Sequence, residues 1–566
     1  MQEKVFMLGM IVLFFIILFV CILQNNRKNK RLLEEKLRRD WGHLAPEMDP
    51  GRMEGIRHYH MRRSAEERFI IDDITWRDLD MDRLFEKMNQ TVSAPGEEYL
   101  YALLHRPVFE SQELLLRENV IQYFSQEEED RIKVQKILSA IGKSSRASCD
   151  DLLAILDEVK EKNLFWDYAA VALIAAAVGL FFYQSLWGLI AFLGVSVFNV
   201  ITYMKDKTWI EPYFLSFRII FSLLDAAEHL GKFSIPGMEK KEKMLSETVS
   251  VLRKARRGSH LLLYQADGAG GLESVLLDYL RMLLHVDFFQ YNRLLQKVHS
   301  HRENIRQMAD TLGYVDAMIA AASFRQAMGN WCIPILEEDS QTAFLEAEGL
   351  YHPLLQHSVE NEIHVRKGVI ITGSNASGKS TFVKAVAVNS ILAQTIHTCA
   401  ASRLHSGYVK VMTSMALHDN LQGGESYYMV EIKSLNRILK ESQKPGLLLC
   451  VIDEVLRGTN TIERIAASSR ILAELNRPHV LPFAATHDIE LSYILEDLYE
   501  NYHFSEKIEE EDVVFDYLLK KGRSTTRNAI RLLSVTGYDP SIIIKAQAAA
   551  EEFEQTGVWT PISERG

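Results

Sequence analysis

The sequence contains the octapeptide Gly373-Ser-Asn-Ala-Ser-Gly378-Lys379-Ser380, which matches the pattern G-x-x-x-x-G-K-[ST] at every fixed position. A β-rich run, Val369–Ile371, precedes it, and a helical stretch, Thr381–Leu392, follows it. In such a strand–loop–helix the backbone N–H groups surround phosphates, the lysine supplies positive charge, and the last hydroxyl can reach Mg²⁺. A purely structural glycine turn is the alternative. The pattern predicts ATP binding by Gly373, Ser374, Asn375, Ala376, Ser377, Gly378, Lys379, Ser380 and Thr381, with Ser380 as a Mg²⁺ ligand and a catalytic role for Lys379.

A second apolar run ends in two acidic residues. Leu447–Ile452 reads as a strand, and Asp453 and Glu454 follow it directly. Beside a phosphate-binding loop, a carboxylate at a strand end can complete the Mg²⁺ shell, and a second one can orient or deprotonate the attacking water. We therefore predict Asp453 as a metal ligand and Glu454 as the catalytic base.

A third run, Val480–Ala485, leads into Thr486, His487 and Asp488. A histidine at the end of this strand could sense the γ-phosphate, and we predict a catalytic role for His487. The alternative is a structural or surface histidine, which is the role of most isolated histidines.

Short β-rich runs alternate with helical stretches after Pro334. The runs are Gly368–Thr372, Leu447–Ile452, Val480–Ala485 and Val513–Leu519. This alternation predicts an α/β domain with a largely parallel sheet over residues 335–548.

Composition limits the possible classes of protein. The formal net charge of −11 argues against a generally basic, DNA-coating surface, although a local basic face remains open. The basic stretch that could touch phosphates contains Lys240, Lys241, Lys243, Arg253, Lys254, Arg256 and Arg257, and a solvated helix face is its alternative. The five cysteines are scattered and contain no C-x-x-C pair, which argues against a disulfide framework or a zinc site and favours a reducing compartment.

The amino terminus carries an unbroken apolar run of 19 residues, Val5–Leu23, followed at once by a cluster of lysines and arginines. This length is sufficient for a membrane-spanning helix, and charge behind the run is atypical of a cleaved signal peptide. By the positive-inside rule we predict an uncleaved anchor in the cytoplasmic membrane, with the rest of the chain facing the cytoplasm.

A second apolar block occupies residues 164–204. Tyr183, Gln184 and Ser185 mark a turn in it, so two short helices are expected, roughly Tyr168–Phe182 and Leu186–Tyr203. We interpret them as a transmembrane hairpin in contact with membrane lipid; two buried core helices are the alternative.

Helical periodicity dominates the chain before residue 335. Apolar residues recur every seven positions from Leu284 to Leu312, which predicts a long helix packed in a bundle, bent or ended at Gly313. The predicted organisation is an anchor (1–25), a basic linker (26–71), a first helical core segment (72–163), the hairpin (164–204), a second helical core segment (205–334), the α/β domain (335–548) and a tail (549–566).

Together these motifs resemble the MutS family of mismatch-repair ATPases, which belong to the ATP-binding-cassette class. Asp453-Glu-Val-Leu-Arg457-Gly458-Thr459 resembles that family's D-E-x-x-R-G-T segment, and Ala485-Thr486-His487 its A-T-H. Gly424-Glu-Ser426-Tyr-Tyr-Met429-Val-Glu431 resembles its S-T-F-M-x-E signature, with Tyr427 in place of the threonine. Gly537–Gln547 is similar to its dimer-locking helix-turn-helix, and Asn89–Gly96 to the start of its lever domain.

The resemblance implies a homodimer formed through the ATPase domains, in which Ser426 approaches the nucleotide of the opposite subunit. It also implies that Tyr517 stacks on adenine; a residue packed in the sheet is the alternative. DNA is the implied partner, with recognition of mismatched or damaged DNA as the implied function. The family's mismatch-reading and connector domains have no counterpart in the sequence, so the alternative is a membrane-tethered mechanical ATPase that acts on a protein partner or branched DNA.

Overall fold

The structure is a computed structural model. It describes residues 24–25, 27–63, 69–143, 148–256, 279–355, 358–374, 377–415, 427–509, 512–524, 530, 533 and 537–562. The chain divides into two compact units. Unit 1 comprises the described residues within Met1–Glu66, Glu86–Ala102 and Leu116–Ala327, and unit 2 those within Glu67–Phe85, Leu103–Leu115 and Met328–Gly566. Residues 72–85 and 103–115, which the sequence assigns to the first helical core segment, thus cluster with the α/β domain.

The described portion of unit 1 is helical. Its helices are α1 (27–40), α2 (Pro50–Arg63), α7 (Glu128–Ser139), α8 (Cys149–Glu158), α9 (Phe165–Tyr183), α10 (Ser185–Leu230), α11 (Glu239–Arg256), α12 (Val286–Ser300) and α13 (Arg302–Met328). Three further helices contribute residues to both units: α4 (Met81–Met88), α5 (Ala94–His105) and α6 (Ser111–Gln126). The last residue of α13, Met328, also falls in unit 2.

Helix α13 runs through the core of unit 1, and every residue from Thr311 to Arg325 is buried. Gly313 does not end this helix, because α13 continues to Met328. The long helix predicted from Leu284 is instead divided at His301, between α12 and α13. Packing explains the glycine: a Cβ added at Gly313 would lie 2.5 Å from the carbonyl oxygen of Pro95. The glycine therefore permits a close approach of α5, and the neighbouring contacts compensate for its low helix propensity.

The two helices expected for the hairpin are present as α9 and α10, and Gln184 alone separates them. Both are long and apolar enough to cross a membrane, by length and composition. The second helix differs from the expectation because it does not end near Tyr203 but continues to Leu230. Beyond the apolar block, Ile210, Phe217 and Leu224 recur every seven residues and are buried, so packing sustains the helix. The predicted anchor at residues 5–23 lies outside the described residues.

Unit 2 contains the α/β domain. The strands of its six-stranded sheet are β4 (Gly368–Thr372), β6 (Val409–Ser414), β7 (Leu447–Asp453), β8 (Val480–Thr486), β9 (Tyr499–His503) and β12 (Lys520–Lys521). Their order in the sheet is β12-β9-β4-β8-β7-β6, and only β12 pairs antiparallel. The largely parallel sheet predicted from the sequence is confirmed, as are three of its four predicted strands.

The fourth predicted strand, Val513–Leu519, is wrong as a member of this sheet. Residues 512–515 form β11 (Asp512–Phe515), which pairs antiparallel with β10 (Glu506–Glu509) in a separate two-stranded sheet. Tyr517 has a left-handed φ of 53°, a conformation that interrupts an extended strand. A further four-stranded sheet has the order β1-β5-β2-β3, with β1 (Ile335–Glu337), β2 (Leu345–Leu350), β3 (Asn361–Val365) and β5 (Arg403–Gly407).

The described helices that lie wholly in unit 2 are α3 (Asp73–Asp78), α14 (Lys379–Thr395), α15 (Tyr427–Glu441), α16 (Thr461–Leu475), α17 (Ile489–Ile494) and α18 (Pro540–Thr556). Side chains of α15 and α16, among them Ile438 and Leu472, pack with Cys450 and Ile452 of β7 in a buried cluster. Burial on this scale fixes the strands whose carboxyl ends carry the candidate site.

Candidate nucleotide site

The Gly373–Ser380 loop connects β4, whose five residues are all buried, to α14. The strand and helix predicted to flank the loop are therefore confirmed. Gly373 has φ 147° and Gly378 has φ 105°, backbone conformations that favour glycine. A Cβ at Gly373 would also lie 2.8 Å from the carbonyl oxygen of Phe504. Two of the predicted loop residues, Asn375 and Ala376, lie outside the described residues.

The side chain of Lys379 folds back over the loop. Its Nζ donates hydrogen bonds to the carbonyl oxygens of Gly373 at 2.6 Å and Ser374 at 2.7 Å. Burial lowers the pKa of Lys379 to about 8, against the opposing effect of Asp453 and Glu454. The ammonium is thus held at the mouth of the loop, where an anion would stabilise its charge.

The two predicted Mg²⁺ ligands lie together. Asp453 is the last residue of β7, and its carboxylate is hydrogen-bonded to the side chain of Ser380 at the start of α14. Burial raises the pKa of Asp453, while the hydrogen bond from Ser380 and the nearby Lys379 act in the opposite direction. A carboxylate and a hydroxyl oxygen are suitable Mg²⁺ ligands.

Glu454 and His487 are in contact. Glu454 Oε1 lies 2.9 Å from His487 Nε2, and Glu454 Oε2 lies 2.7 Å from Arg457 Nε. The hydrogen bond with His487 is the main reason why the pKa of Glu454 is lowered, so this side chain is a carboxylate at neutral pH. His487 Nε2 is also 3.5 Å from Lys379 Nζ, and the three predicted catalytic residues therefore form one group.

Glu431 ends the signature segment named in the sequence, but its role in the site was not predicted. The Oε1 atom of this buried side chain of α15 accepts a hydrogen bond from the backbone N–H of Arg457 at 3.1 Å. Burial raises the pKa of Glu431, and the backbone N–H groups of Arg457, Leu456 and Gly458 oppose that shift. Glu454 and Leu456 have left-handed φ values of 59° and 58°, so Glu431 holds a strained loop in place.

Two further polar pairs support the site. Arg464 forms a bidentate ion pair with Asp488: its Nε donates to Oδ2 at 2.8 Å and its Nη2 to Oδ1 at 2.6 Å. This pair fixes the turn after His487. Ser374 Oγ donates to Glu506 Oε2 at 2.8 Å. Neither pair was found by sequence reasoning, because both join residues that are distant in the chain and match no local motif.

A cleft of about 510 Å³ adjoins the loop. The predicted site residues that line it are Ser374, Gly378, Lys379, Ser380, Thr381, Glu454, His487 and Tyr517. Other lining residues include His352, Val359, Asn361 and Phe504. Tyr517 is 44% exposed within it. Asn361 positions the Tyr517 segment: its Nδ2 donates to Tyr517 O at 3.2 Å, and its Oδ1 accepts from Leu519 N at 2.7 Å. The structure thus brings the predicted adenine contact to the same cleft as the loop. Ser426 lies outside the described residues.

Comparison with known proteins gives the relationship of this chain. A family model described as MutS domain V matches residues 369–554. The DNA mismatch repair protein MutS of Thermotoga maritima is 29% identical over 271 residues, 46% of this chain and 33% of the relative. The DNA mismatch repair protein MSH3 of Saccharomyces cerevisiae is 29% identical over 299 residues (50% and 29%), and the human MutS protein homolog 4 is 28% identical over 290 residues (47% and 30%). This chain spans about a third of the length of these relatives. Residues 369–554 thus match domain V of the MutS family, and the similarity to these relatives over about half of the chain supports membership of the chain in that family.

Proposed function

We propose that unit 2 binds ATP with Mg²⁺ at the Gly373–Ser380 loop and hydrolyses it. The observation that carries this proposal is the convergence of Lys379, the Ser380–Asp453 pair and the Glu454–His487 pair beside one cleft. They converge because β4, β8 and β7 are neighbouring parallel strands and their carboxyl ends share one edge.

The groups present fit a triphosphate. Ser377 Oγ is buried and has no hydrogen-bond partner among the residues that the structure describes. Together with Lys379 Nζ it is available to phosphate oxygens, and the cleft between the loop and Tyr517 has a volume suited to a nucleotide. Ser380 and Asp453 would hold Mg²⁺, which when bound neutralises charge on the phosphates.

Glu454 has the chemistry of a general base. Its lowered pKa keeps it able to accept a proton from water at neutral pH, and His487 orients its carboxylate through the 2.9 Å contact. Hydrolysis by this group requires that Arg457 leave one carboxylate oxygen accessible, since the ion pair engages Oε2.

Replacement of Glu454 tests the hydrolysis. Glu454→Gln keeps the shape of the side chain and removes its basicity, and we expect the ATPase kcat to fall by about 10²–10⁴-fold while ATP still binds. Glu474→Gln is the matched control, because Glu474 is an exposed residue of α16 that pairs only with Arg477 among the interactions described. Equal rates for wild type and Glu454→Gln would exclude this role.

We further propose that two chains associate through unit 2, with the partner's Ser426 completing each nucleotide site. The support is family membership and the position of Ser426 in the sequence, directly before α15. In the presence of ATP, purified Glu454→Gln protein is expected to be dimeric by light scattering. The double variant Glu454→Gln/Ser426→Ala is expected to be monomeric under the same conditions. A monomer in both cases would contradict the shared site.

DNA is the proposed partner, since two of the relatives carry names of DNA mismatch repair proteins. The test is the ATPase rate of the full chain in detergent with homoduplex, mismatched and branched DNA and without DNA. The full chain is needed because α10 continues across residue 205, and a truncation there would cut a helix. Stimulation by mismatched DNA is expected. Stimulation by branched DNA alone would favour the mechanical alternative, and indifference to all DNA would point to a protein partner.

The hairpin is proposed to anchor the protein in the cytoplasmic membrane with unit 2 in the cytoplasm. Aromatic side chains are exposed at the two ends of α9, where membrane interfaces place them: Phe165, Trp166, Tyr168, Phe182 and Tyr183. The 19 residues of α9 span about 28 Å, close to the hydrocarbon thickness of a bilayer. Between these ends, α9 and α10 expose Leu173, Ile190, Leu193, Val197, Phe198 and Ile201, a surface that an aqueous environment would disfavour.

Accessibility measurements test this topology. In intact cells that express the full chain, a membrane-impermeant maleimide should label Gln184→Cys at the hairpin turn. Lys205→Cys, at the other end of the apolar block, should be labelled only after the membrane is opened. Labelling of neither position before lysis would contradict a spanning hairpin.

A further inference from the structure

Cys332 and Cys399 face each other in unit 2. The two residues form an isolated antiparallel bridge in which each backbone N–H donates to the other residue's carbonyl oxygen at 3.0 Å. They are distant in sequence: Cys332 follows the end of α13 by a few residues, and Cys399 follows the end of α14. In the sequence the cysteines are scattered, and only the fold brings these two together.

The backbone separation permits a disulfide. Residues that exchange both backbone hydrogen bonds in an antiparallel pair have Cα atoms about 5.5 Å apart, inside the range that disulfides span. Their Cβ atoms lie at about 5.5 Å in such pairs, against about 3.5–4.5 Å in disulfides, so formation of the bond would draw the two segments about 1 Å closer. Directly opposed residues also project their side chains to the same face of the pair. The side chains of Cys332 and Cys399 are in fact hydrogen-bonded to each other.

The two thiols differ in accessibility. Cys332 is half-buried, whereas Cys399 is fully buried and its Sγ contacts the carbonyl oxygen of Asn389 at 3.5 Å. The hydrogen bond from Cys399 lowers the pKa of Cys332, in spite of partial burial. Cys332 is therefore the thiol that an oxidant reaches first, and Cys399 is placed to react with it afterwards.

We propose that Cys332 and Cys399 are a redox-modification site that forms a reversible disulfide when a small-molecule disulfide, such as oxidised glutathione, is present. The Cys332 thiolate attacks one sulfur of the oxidant, whose S–S bond breaks and releases one thiolate that takes up a proton. The Cys399 thiol loses its proton to solvent, and its sulfur attacks Cys332 Sγ, displacing the second thiol. Two electrons pass from the cysteine pair to the oxidant, which becomes two thiols.

The Cys332–Cys399 disulfide would fix two segments of unit 2 to each other. Tyr351 Oη donates to the carbonyl oxygens of Met328 and Asn330, at 2.8 Å and 2.6 Å, and so holds the segment before Cys332. Asn389 of α14 donates to Tyr351 O at 3.0 Å and accepts from Ala400 N at 2.6 Å, beside Cys399. Oxidation would join these two hydrogen-bonded segments covalently, one leading in from α13 and the other following the helix of the Gly373–Ser380 loop.

Peptide mapping of the full chain in detergent tests the proposal directly, without reference to ATP hydrolysis. After treatment with oxidised glutathione and alkylation of the remaining thiols, mass spectrometry should find a cross-linked peptide containing Cys332 and Cys399 that dithiothreitol separates. Cys149 and Cys450 are internal controls, since burial raises the pKa of both thiols and they should remain free.

Single substitutions test the order of the two steps. Cys399→Ser should stop at a glutathione adduct on Cys332, and Cys332→Ser should leave Cys399 unmodified. Oxidation should also raise the thermal unfolding midpoint of the wild type, with no shift in Cys332→Ser. A lasting glutathione adduct on wild-type Cys332 without cross-link, or modification of Cys399 in Cys332→Ser, would overturn the proposal.

Discussion

The carboxylate of Glu431 accepts a hydrogen bond from the backbone N–H of Arg457 at 3.1 Å, which ties helix α15 to the loop that follows Asp453. The same loop carries Glu454, and Gly458 in it lies so close to α15 that an added Cβ would be 3.1 Å from Cβ of Tyr428. Because α15 begins directly after Ser426 in sequence, a shift of this helix would reach the Glu454 loop through Glu431.

Removal of the Glu431 carboxylate should therefore disturb catalysis more than ATP binding. Hydrogen bonds to a charged group contribute roughly 1.5–3 kcal/mol each. We expect Glu431→Ala to lower the ATPase kcat by about ten- to a hundredfold with a smaller change in KM, and Glu431→Gln to recover part of the loss.

Glu441→Gln is the control for Glu431, because Glu441 lies on the same helix but pairs with Lys410 at 2.7 Å, away from the loop. Steady-state kinetics of the folded variants decide the outcome. A kcat that stays at the wild-type value in Glu431→Ala would show that the Glu454 loop keeps its conformation without this carboxylate.

Tyr517 is expected to contribute to nucleotide affinity. Its ring lines the cleft and is 5.9 Å from that of Phe515, at an interplanar angle of 30°. Stacking of a base on an aromatic ring contributes about 1–3 kcal/mol, so Tyr517→Ala should raise the Kd for ATP by about 5- to 150-fold, and Tyr517→Phe should change it little. Titration calorimetry measures both. Tyr493→Ala is the control, because Tyr493 is exposed and does not line this cleft. An equal rise in the Kd for ATP in Tyr493→Ala would contradict the assignment of Tyr517 as the adenine contact.

The buried His352 should make the stability of the protein depend on pH. Burial lowers the pKa of His352 to about 4, and its Nδ1 accepts a hydrogen bond from Leu354 N at 3.3 Å, which requires an unprotonated nitrogen. Between pH 6.5 and 4 the unfolded chain binds the proton and the folded chain does not, so the free energy of unfolding falls as pH falls. From pH 7.5 to pH 5 the loss from this residue is about 2 kcal/mol.

Denaturant titrations at the two pH values measure this dependence. His352→Asn keeps an acceptor near the Nδ1 position and should reduce the pH dependence by that amount. His364→Asn, at an exposed histidine of β3, should leave it unchanged. If His352→Asn keeps the full wild-type dependence, other groups are responsible for it.

The features that the sequence predicted correctly are those encoded in contiguous residues. The strand, glycine-rich loop and helix around Gly373–Ser380 follow from local pattern, and so does the position of Asp453 at the end of an apolar strand. Parallel neighbours then bring such strand ends together, which is why Glu454 and His487 are in contact although 33 positions separate them.

The features that the sequence did not predict depend on register and packing between distant segments. Nothing near Glu431 in the chain indicates that its carboxylate holds residues 456–458, and nothing near Cys332 indicates Cys399. The apolar residues Val513 and Val514 satisfy a strand pattern, but the partner that they find is β10 instead of the main sheet. Local propensity is a weak guide where tertiary contacts decide the outcome.

Gly313 offers a test of packing against propensity in unit 1. In an exposed helix interior, replacing glycine by alanine stabilises by about 1 kcal/mol. At Gly313 the new Cβ would lie 2.5 Å from Pro95 O and 3.0 Å from Tyr99 Cβ, and backbone atoms of α5 would have to move. We expect Gly313→Ala to lower the free energy of unfolding by about 1–3 kcal/mol, the usual cost of overpacking. Gly51→Ala, at an exposed position of α2, is the control, because a Cβ there meets only Asp49 Oδ1, at an ordinary contact distance of 3.7 Å. Thermal unfolding of both variants decides the question, and a Gly313→Ala protein as stable as the control would mean that α5 and α13 can separate without cost.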